Sequence, residues 1–212
     1  MSHHAALLGL LQAAPPDVFN QYAVADPALD QLEAAVWRRE NLERYLATFG
    51  GARYLLIGEA AGFRAGRFTG VPFVDETQLV GERVLEWAGT ARGYRRASRL
   101  DRPLLREASA TVVRGAIDGR RDVALWNVVP WHPPGKRGPL SNALPSRAAQ
   151  RAGLTVLAYV LDFVWPEARP VAVGRVAERA LRELGLSVPR LRHPAQGGAA
   201  EFRSGLGRLL LA

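Results

Sequence analysis

From Leu32 to Phe49 the apolar residues fall at Leu32, Ala35, Val36, Leu42, Tyr45, Leu46 and Phe49, a helical spacing that Gly50-Gly51 closes. Residues 53–57, an Arg-led run of Tyr, Leu, Leu and Ile, then read as a strand. The stretches 77–88 and 106–117 read as helices. Residues 122–129, DVALWNVV, read as a second strand with little alternation, as expected when both faces are covered. Ser146 stands before a long periodic run (Ala149, Val156, Leu157, Val160, Leu161, Val164) that stops at Pro166, and it is a good N-cap. A third strand over 170–173 precedes a helix from Arg175 to Leu184, ended by Gly185. A short fourth strand over 188–193 and a terminal helix over 201–211 complete the order. Strands alternating with helices predict parallel crossovers and an α/β, three-layer αβα sandwich.

The distinctive polar residues all follow strands. Gly58-Glu59-Ala60-Ala61-Gly62 follows the first, Trp126-Asn127 closes the second, Gly174-Arg175 follows the third, and His193-Pro194-Ala195-Gln196-Gly197-Gly198 follows the fourth. Open parallel sheets bind ligands at this carboxyl edge. One loop-rich segment, 130–145, lies beyond the second strand, and no internal repeat is visible.

Composition narrows the classes. A chain of 212 residues with 48% hydrophobic and 23% charged residues is long enough for a sizeable core and is expected to be a single domain over 1–212, with 1–31 an N-terminal extension packing on it. No window approaches the roughly 20 apolar residues of a membrane span, and the first residues have no basic leader, so no membrane association and a cytoplasmic location are expected. Cys is absent, which excludes disulfides, thiolate metal sites and a Cys nucleophile. Net charge is +8, so a polyanion is the first partner to consider. Lys136 is the sole lysine among 28 basic residues; coding bias explains that choice of cation, but not the excess over acids.

The motifs leave several readings open. The GEAAG turn is neither a phosphate loop nor a dinucleotide fingerprint. Its small residues Gly58, Ala60, Ala61 and Gly62 either complete a simple turn or leave space for a flat ligand. Phe73, in GVPF, either belongs to the core or stacks on that ligand. Asn127 either satisfies backbone groups or reads the donor–acceptor edge of a base. His193 stands beside a Gly-rich loop, where a structural and a catalytic role are both open. His3 and His4 fall in an N-terminus expected to be mobile and His132 in the Pro-rich loop, so no metal site is expected. Ser-His-Asp hydrolysis fits poorly for want of a nucleophile elbow. Glu59 with Asp75 or Glu76 could form a carboxylate pair. Phe19-Asn20-Gln21-Tyr22 receives no role.

Three ordered stretches, LLIGEAAGFRAGRFTGVPFVDE (55–76), LWNVVPWHPP (125–134) and RHPAQGGAAEF (192–202), resemble the uracil-DNA glycosylase superfamily. The resemblance covers about 50–205 and is nearest the thermophile-type GEAxG class. It implies a central four-stranded parallel sheet of order 2-1-3-4. It also implies a metal-independent, monofunctional DNA glycosylase that needs no cofactor and removes uracil or a related deaminated base. By that resemblance His193 and Glu59 are catalytic, while Gly58, Ala60, Phe73 and Asn127 bind the base. Arg64, Arg67, Lys136, Arg137, Arg175 and Gln196 would contact DNA. The partner would be DNA containing deaminated bases, met by a monomer at the nucleoid. The chain departs from the pattern in four places. Ala60 stands where the classical enzymes carry their water-activating Asp, the iron–sulfur cysteines of the thermophile-type relatives are missing, the third motif reads His-Pro-Ala rather than His-Pro-Ser, and Gln196-Gly197-Gly198 lacks an apolar wedge. Two other functions fit the same residues, a non-catalytic nucleobase- or DNA-binding module and a nucleotide-processing hydrolase. The glycosylase reading requires Glu59, Phe73, Asn127 and His193 to meet around one cavity the size of a pyrimidine.

Overall fold

A computed structural model describes residues 2–211. Helices α1 (His3–Gln12) and α2 (Ala34–Thr48) precede strand β1 (Tyr54–Ala60). Short helices α3 (Gly66–Thr69) and α4 (Glu76–Leu79) follow, then α5 (Ala108–Ala116) and β2 (Val123–Val129). A hairpin of β3 (Pro134–Gly135) and β4 (Gly138–Asn142) leads to α6 (Arg147–Tyr159). The chain ends through β5 (Arg169–Val173), α7 (Arg175–Glu183), β6 (Arg190–Leu191) and α8 (Ala199–Leu211).

The central sheet has the order β2-β1-β5-β6, with every pair parallel. With the hairpin set aside, that is second-first-third-fourth, the expected architecture and order. Alternate strand residues feed opposite layers. Leu55 and Ile57 of β1, with Ala124, Trp126 and Val128 of β2, pack among Tyr45, Leu46, Leu157 and Leu181 of α2, α6 and α7. Tyr54 and Leu56, with Val123 and Leu125, pack against Val113, Ile117, Phe202 and Leu206 on the α5 and α8 side. Both faces are buried, which explains why β2 shows no alternation. Its outer edge is closed by Tyr45, whose hydroxyl accepts from the Leu125 amide (2.7 Å) and donates to the Leu125 carbonyl (3.1 Å).

Several boundaries differ from the sequence reading. The helix expected over 77–88 is one turn long, held by a capping box between Asp75 and Gln78. Beyond it the chain turns back so closely on itself that a Cβ on Gly81 would lie 2.8 Å from Thr77 Cα and 2.6 Å from Leu104 Cδ1, which requires glycine there. The strand expected over 188–193 shrinks to Arg190–Leu191, because Pro189 has no N–H and offers only its carbonyl, to Ala172 (2.9 Å). The Pro-rich loop contains the β3–β4 hairpin. Ser146 caps α6 as expected, accepting from the Ala149 amide (3.0 Å), but the helix widens to a π turn at Val160–Val164. His3 and His4 lie within α1, and His3 stacks on Phe163 with ring centroids 5.6 Å apart.

The segment without an assigned role proves to be a brace. Phe19 and His132 exchange backbone hydrogen bonds (2.7 and 3.1 Å), and Gln21 donates to the Pro130 carbonyl (2.7 Å). Tyr22 reaches the other side and donates to the Gly70 carbonyl (2.9 Å). One stretch of chain thereby fixes the loops that leave β2 and precede Phe73.

Candidate active site

The site begins with register. Gly58 of β1 pairs with Asn127 of β2. Asn127 shares a face with Val123 and Leu125, the face turned towards α5 and α8. A Cβ on Gly58 would lie 2.6 Å from Phe73 Cε2 and 2.8 Å from Asn127 Oδ1, so only glycine fits there. Gly58, expected in a turn after the first strand, is instead a residue of β1, and its lack of a side chain lets an aromatic ring and an amide approach the backbone from one side.

Phe73 is held in a conformation that a bulky residue avoids, with φ of +52°. Such backbone costs about 1–3 kcal/mol and persists only where the surroundings enforce it. Arg114 supplies much of that constraint. Its Nε donates to the Phe73 carbonyl (3.1 Å) and its Nη2 to the Pro72 carbonyl (2.8 Å), while the guanidinium lies 5.2 Å from the Trp87 ring centroid. Upstream, Arg38 donates to the Phe68 carbonyl (3.3 Å) and Asn41 to that of Thr69 (3.0 Å). The Thr69 hydroxyl donates to Val74 (2.8 Å). The loop is bolted at most of its carbonyls, and the ring it presents is 9% exposed.

Asn127 is 4% exposed, and its Oδ1 is buried without a hydrogen-bond partner. Burying a carbonyl oxygen unpaired costs about 1–3 kcal/mol, so an orphan that lines a cavity points to a partner from outside. His193 follows β6, over the positive-φ Gly174, where a Cβ would lie 3.3 Å from the His193 Cβ. The Ala195 amide donates to Nδ1 (3.1 Å), which assigns the ring proton to Nε2. Burial, and secondarily Arg192, hold the His193 pKa below the ordinary value, so the neutral ring is the resting form and Nε2–H its donor.

Glu59, Phe73, Asn127 and His193 line one cavity of about 50 Å³, together with Ala60, Gly62 and Gly66. About 10–15 Å³ of such space holds one water, so this hollow admits a group of several heavy atoms. It opens into a cleft of about 380 Å³ bounded by Pro133, Asn142, Leu144 and Ala195. Glu59, Ala60, Gly62, Glu107, Ser109 and His193 border both spaces and form the throat between them. Burial raises the Glu59 pKa above the carboxylate norm.

Neither Asp75 nor Glu76 serves as the second carboxylate. Asp75 caps α4, pairs with Arg83 (2.8 Å) and accepts from the Glu107 amide (3.0 Å). Glu76 is buried, accepting from the Ser98 hydroxyl and the Leu105 amide. The carboxylate at the throat beside Glu59 is Glu107, which the sequence reading overlooked along with Ser109 and Arg114. Glu107 stands three residues before the buried Ala110, an N-cap pattern that could have marked the helix start but not the cavity.

The expected DNA contacts divide. Arg64 is exposed, with its guanidinium 5.0 Å from the Phe63 ring centroid. Lys136 and Arg137 are exposed at the hairpin tip, Arg175 at the start of α7, and Gln196 in the turn after His193. Arg67 is a correction. It is fully buried, 2.5 Å from Asp30 and 3.6 Å from Asp26, so its charge is neutralised inside the fold and cannot reach a phosphate. Among the described residues no group of His, Asp and Glu is arranged to hold a metal ion. Likewise no described helix is long and apolar enough to cross a membrane.

No protein-family profile and no curated protein matches the chain. Among solved structures, the chain resembles the WT UNG crystal structure from Nitratifractor salsuginis, at 15% identity and a TM-score of 0.44. That likeness spans 97% of this chain and 94% of the other. Likeness at this level leaves reaction and substrate open.

Proposed function

We propose that this chain is a DNA glycosylase, hydrolysing the bond between deoxyribose and uracil or a related deaminated base. The observation that carries the reading is the orphaned Asn127 amide, buried beside the Phe73 ring in a cavity whose throat holds a neutral imidazole donor. A flat, polar-edged ring uses all three. Its face stacks on Phe73, its edge pairs with Asn127, and its oxygen accepts from His193.

A base within a duplex is inaccessible, so it must leave the stack at a cost of a few kcal/mol. Stacking on an aromatic returns about 1–3 kcal/mol. As the glycosidic bond breaks, the sugar gains positive charge and the base negative charge. A neutral His193 donates its Nε2–H hydrogen bond to that developing anion. Glu59, at the throat, faces the cationic side. Phosphates flanking the extruded nucleotide would be met by Arg64, Lys136, Arg137, Arg175 and Gln196, all exposed.

Labelled single- and double-stranded oligonucleotides containing uracil, hypoxanthine or xanthine test the reading directly. The wild-type protein should produce alkali-sensitive sites in at least one of them. His193→Ala should slow their formation by about 100- to 1000-fold, the usual effect of removing one preorganised donor. Asn127→Ala should also reduce excision strongly. Excision that survives both changes would reject these roles. Tight DNA binding with no excision would instead support the non-catalytic module, a reading favoured by the lack of an ionisable group at Ala60.

A further inference from the structure

We propose that Glu107 is a second catalytic carboxylate, facing the throat with Glu59 and accepting a proton from the water that replaces the departing base. The inference rests on the glycosylase reading and assigns its water-activating group.

Placement comes first. With the base in the inner cavity and the backbone in the outer cleft, the reacting C1′ atom lies at the throat. Glu107 borders both spaces, as do Glu59 and His193. The orphaned Asn127 amide lines the same inner cavity and fixes which end of it receives the base.

Anchoring comes second. The Glu107 amide donates to Asp75 Oδ2 (3.0 Å), and its own Oε2 accepts from the Ala110 amide (3.1 Å) at the start of α5. The other oxygen, Oε1, faces the GEAAG turn, since a Cβ on Gly62 would lie 3.4 Å from it. One oxygen is tied to the scaffold and the other is directed at the throat. Glu59 has no such tether among the described hydrogen bonds, which suits it to follow the sugar's charge rather than to orient a water. Ser109 adds a hydroxyl beside the same space.

The chemistry balances without a further reactant. The C1′–N bond breaks, and its electron pair stays with the base, whose oxygen accepts the hydrogen bond from His193. The water oxygen bonds to C1′, and one water proton passes to Glu107. The products are an abasic sugar with a 1′-hydroxyl and a base anion, and the proton then leaves to that anion or to solvent. Burial raises the Glu107 pKa against the opposing Ala110 amide, Asp75 adds to the rise, and Arg64 opposes it. Glu59 and His193 are the other ionisable groups at the throat, and a raised pKa makes the ionised carboxylate a stronger base towards water.

Two measurements on the full chain test the assignment. In single-turnover excision, Glu107→Gln should be slower by about 100-fold or more, with affinity for the same oligonucleotide changed by less than about threefold. The second needs no turnover. Wild-type protein should bind an oligonucleotide carrying a positively charged pyrrolidine abasic analogue about tenfold tighter than its neutral tetrahydrofuran counterpart, a preference that Glu59→Gln should lose and Glu107→Gln should largely keep. Excision by Glu107→Gln within about threefold of wild type, or loss of the cation preference in Glu107→Gln but not in Glu59→Gln, overturns the role of Glu107 as the proton acceptor. A wild-type protein that excises no lesion overturns the glycosylase reading, and the proton transfer with it.

Discussion

Glycine, asparagine and phenylalanine at positions 58, 127 and 73 occupy one small volume, and each makes sense only beside the others. Gly58 removes the side chain that would strike the Phe73 ring, and Phe73 accepts a strained backbone to place that ring. Asn127 keeps an oxygen unpaired inside the fold. Such concentration of local cost is typical of binding and catalytic sites. The same logic applies to Glu107, whose pKa burial lifts above the ordinary carboxylate value. For a carboxyl group raised on folding, the stabilising contribution is complete below the unfolded pKa and is lost as pH rises through the folded one. Glu107→Gln abolishes that loss while keeping an oxygen for the Ala110 amide. The melting temperature of Glu107→Gln relative to wild type should therefore rise between pH 4 and pH 8. A gap that stays constant or narrows over that range would show that the buried carboxyl carries no ionisation cost.

At the scale of elements, the site is built from loops clamped by buried polar groups rather than from regular structure. The 68–74 loop is tied by Arg38, Asn41 and Arg114, and the turn after β2 by Gln21. Clamping of this kind gives a short loop the rigidity of a strand, as positioning of a reacting ring requires. The β3–β4 hairpin is different, because its tip carries Lys136 and Arg137 into solvent. Its suggested use is to meet phosphate. Replacing both by Ala should reduce the slope of log affinity against log salt by about 1.8 for double-stranded DNA, if each cation displaces one counterion. An unchanged slope in titrations between low and moderate salt would remove the hairpin from the DNA interface. Arg67, by contrast, illustrates why arginine in a motif loop is not by itself a phosphate ligand. The pairing that claimed it comes from Asp30, far away in the chain.

Across the whole molecule, the N-terminal segment and the carboxyl edge of the sheet form a connected structure. Leu7 and Leu11 of α1 are fully buried, and the Leu11 carbonyl accepts from Trp131 Nε1 (2.9 Å) in the loop after β2. Asp30 then holds Arg38 and Arg67 at 2.5 Å each, all three side chains fully buried, joining the segment to α2 and α3. Removing one partner of a buried ion pair strands the others and typically costs about 3–5 kcal/mol. Asp30→Asn should lose about that much stability in urea unfolding. A loss below about 1 kcal/mol would mean that the two guanidinium groups are satisfied without the carboxylate. The net charge of +8 remains in excess after such internal pairing.

The sequence by itself determined the layered α/β class, because the apolar runs and their spacing record which faces are buried, and burial is the main driving force of folding. It also singled out Glu59, Phe73, Asn127 and His193, since small residues, an amide and an imidazole at strand ends are chemically conspicuous. Only the tertiary structure decided what those residues share. Register placed Gly58 beside Asn127, and the crossing of separate loops brought Glu107 into the throat in place of Asp75 and Glu76. It alone also distinguished Arg67, consumed by a distant aspartate, from Arg64, left in solvent. The physical reason is common to all of these. Periodicity is a property of neighbours along the chain, whereas pairing, exposure and the shape of a cavity depend on which distant groups meet, and their residue types carry no record of that.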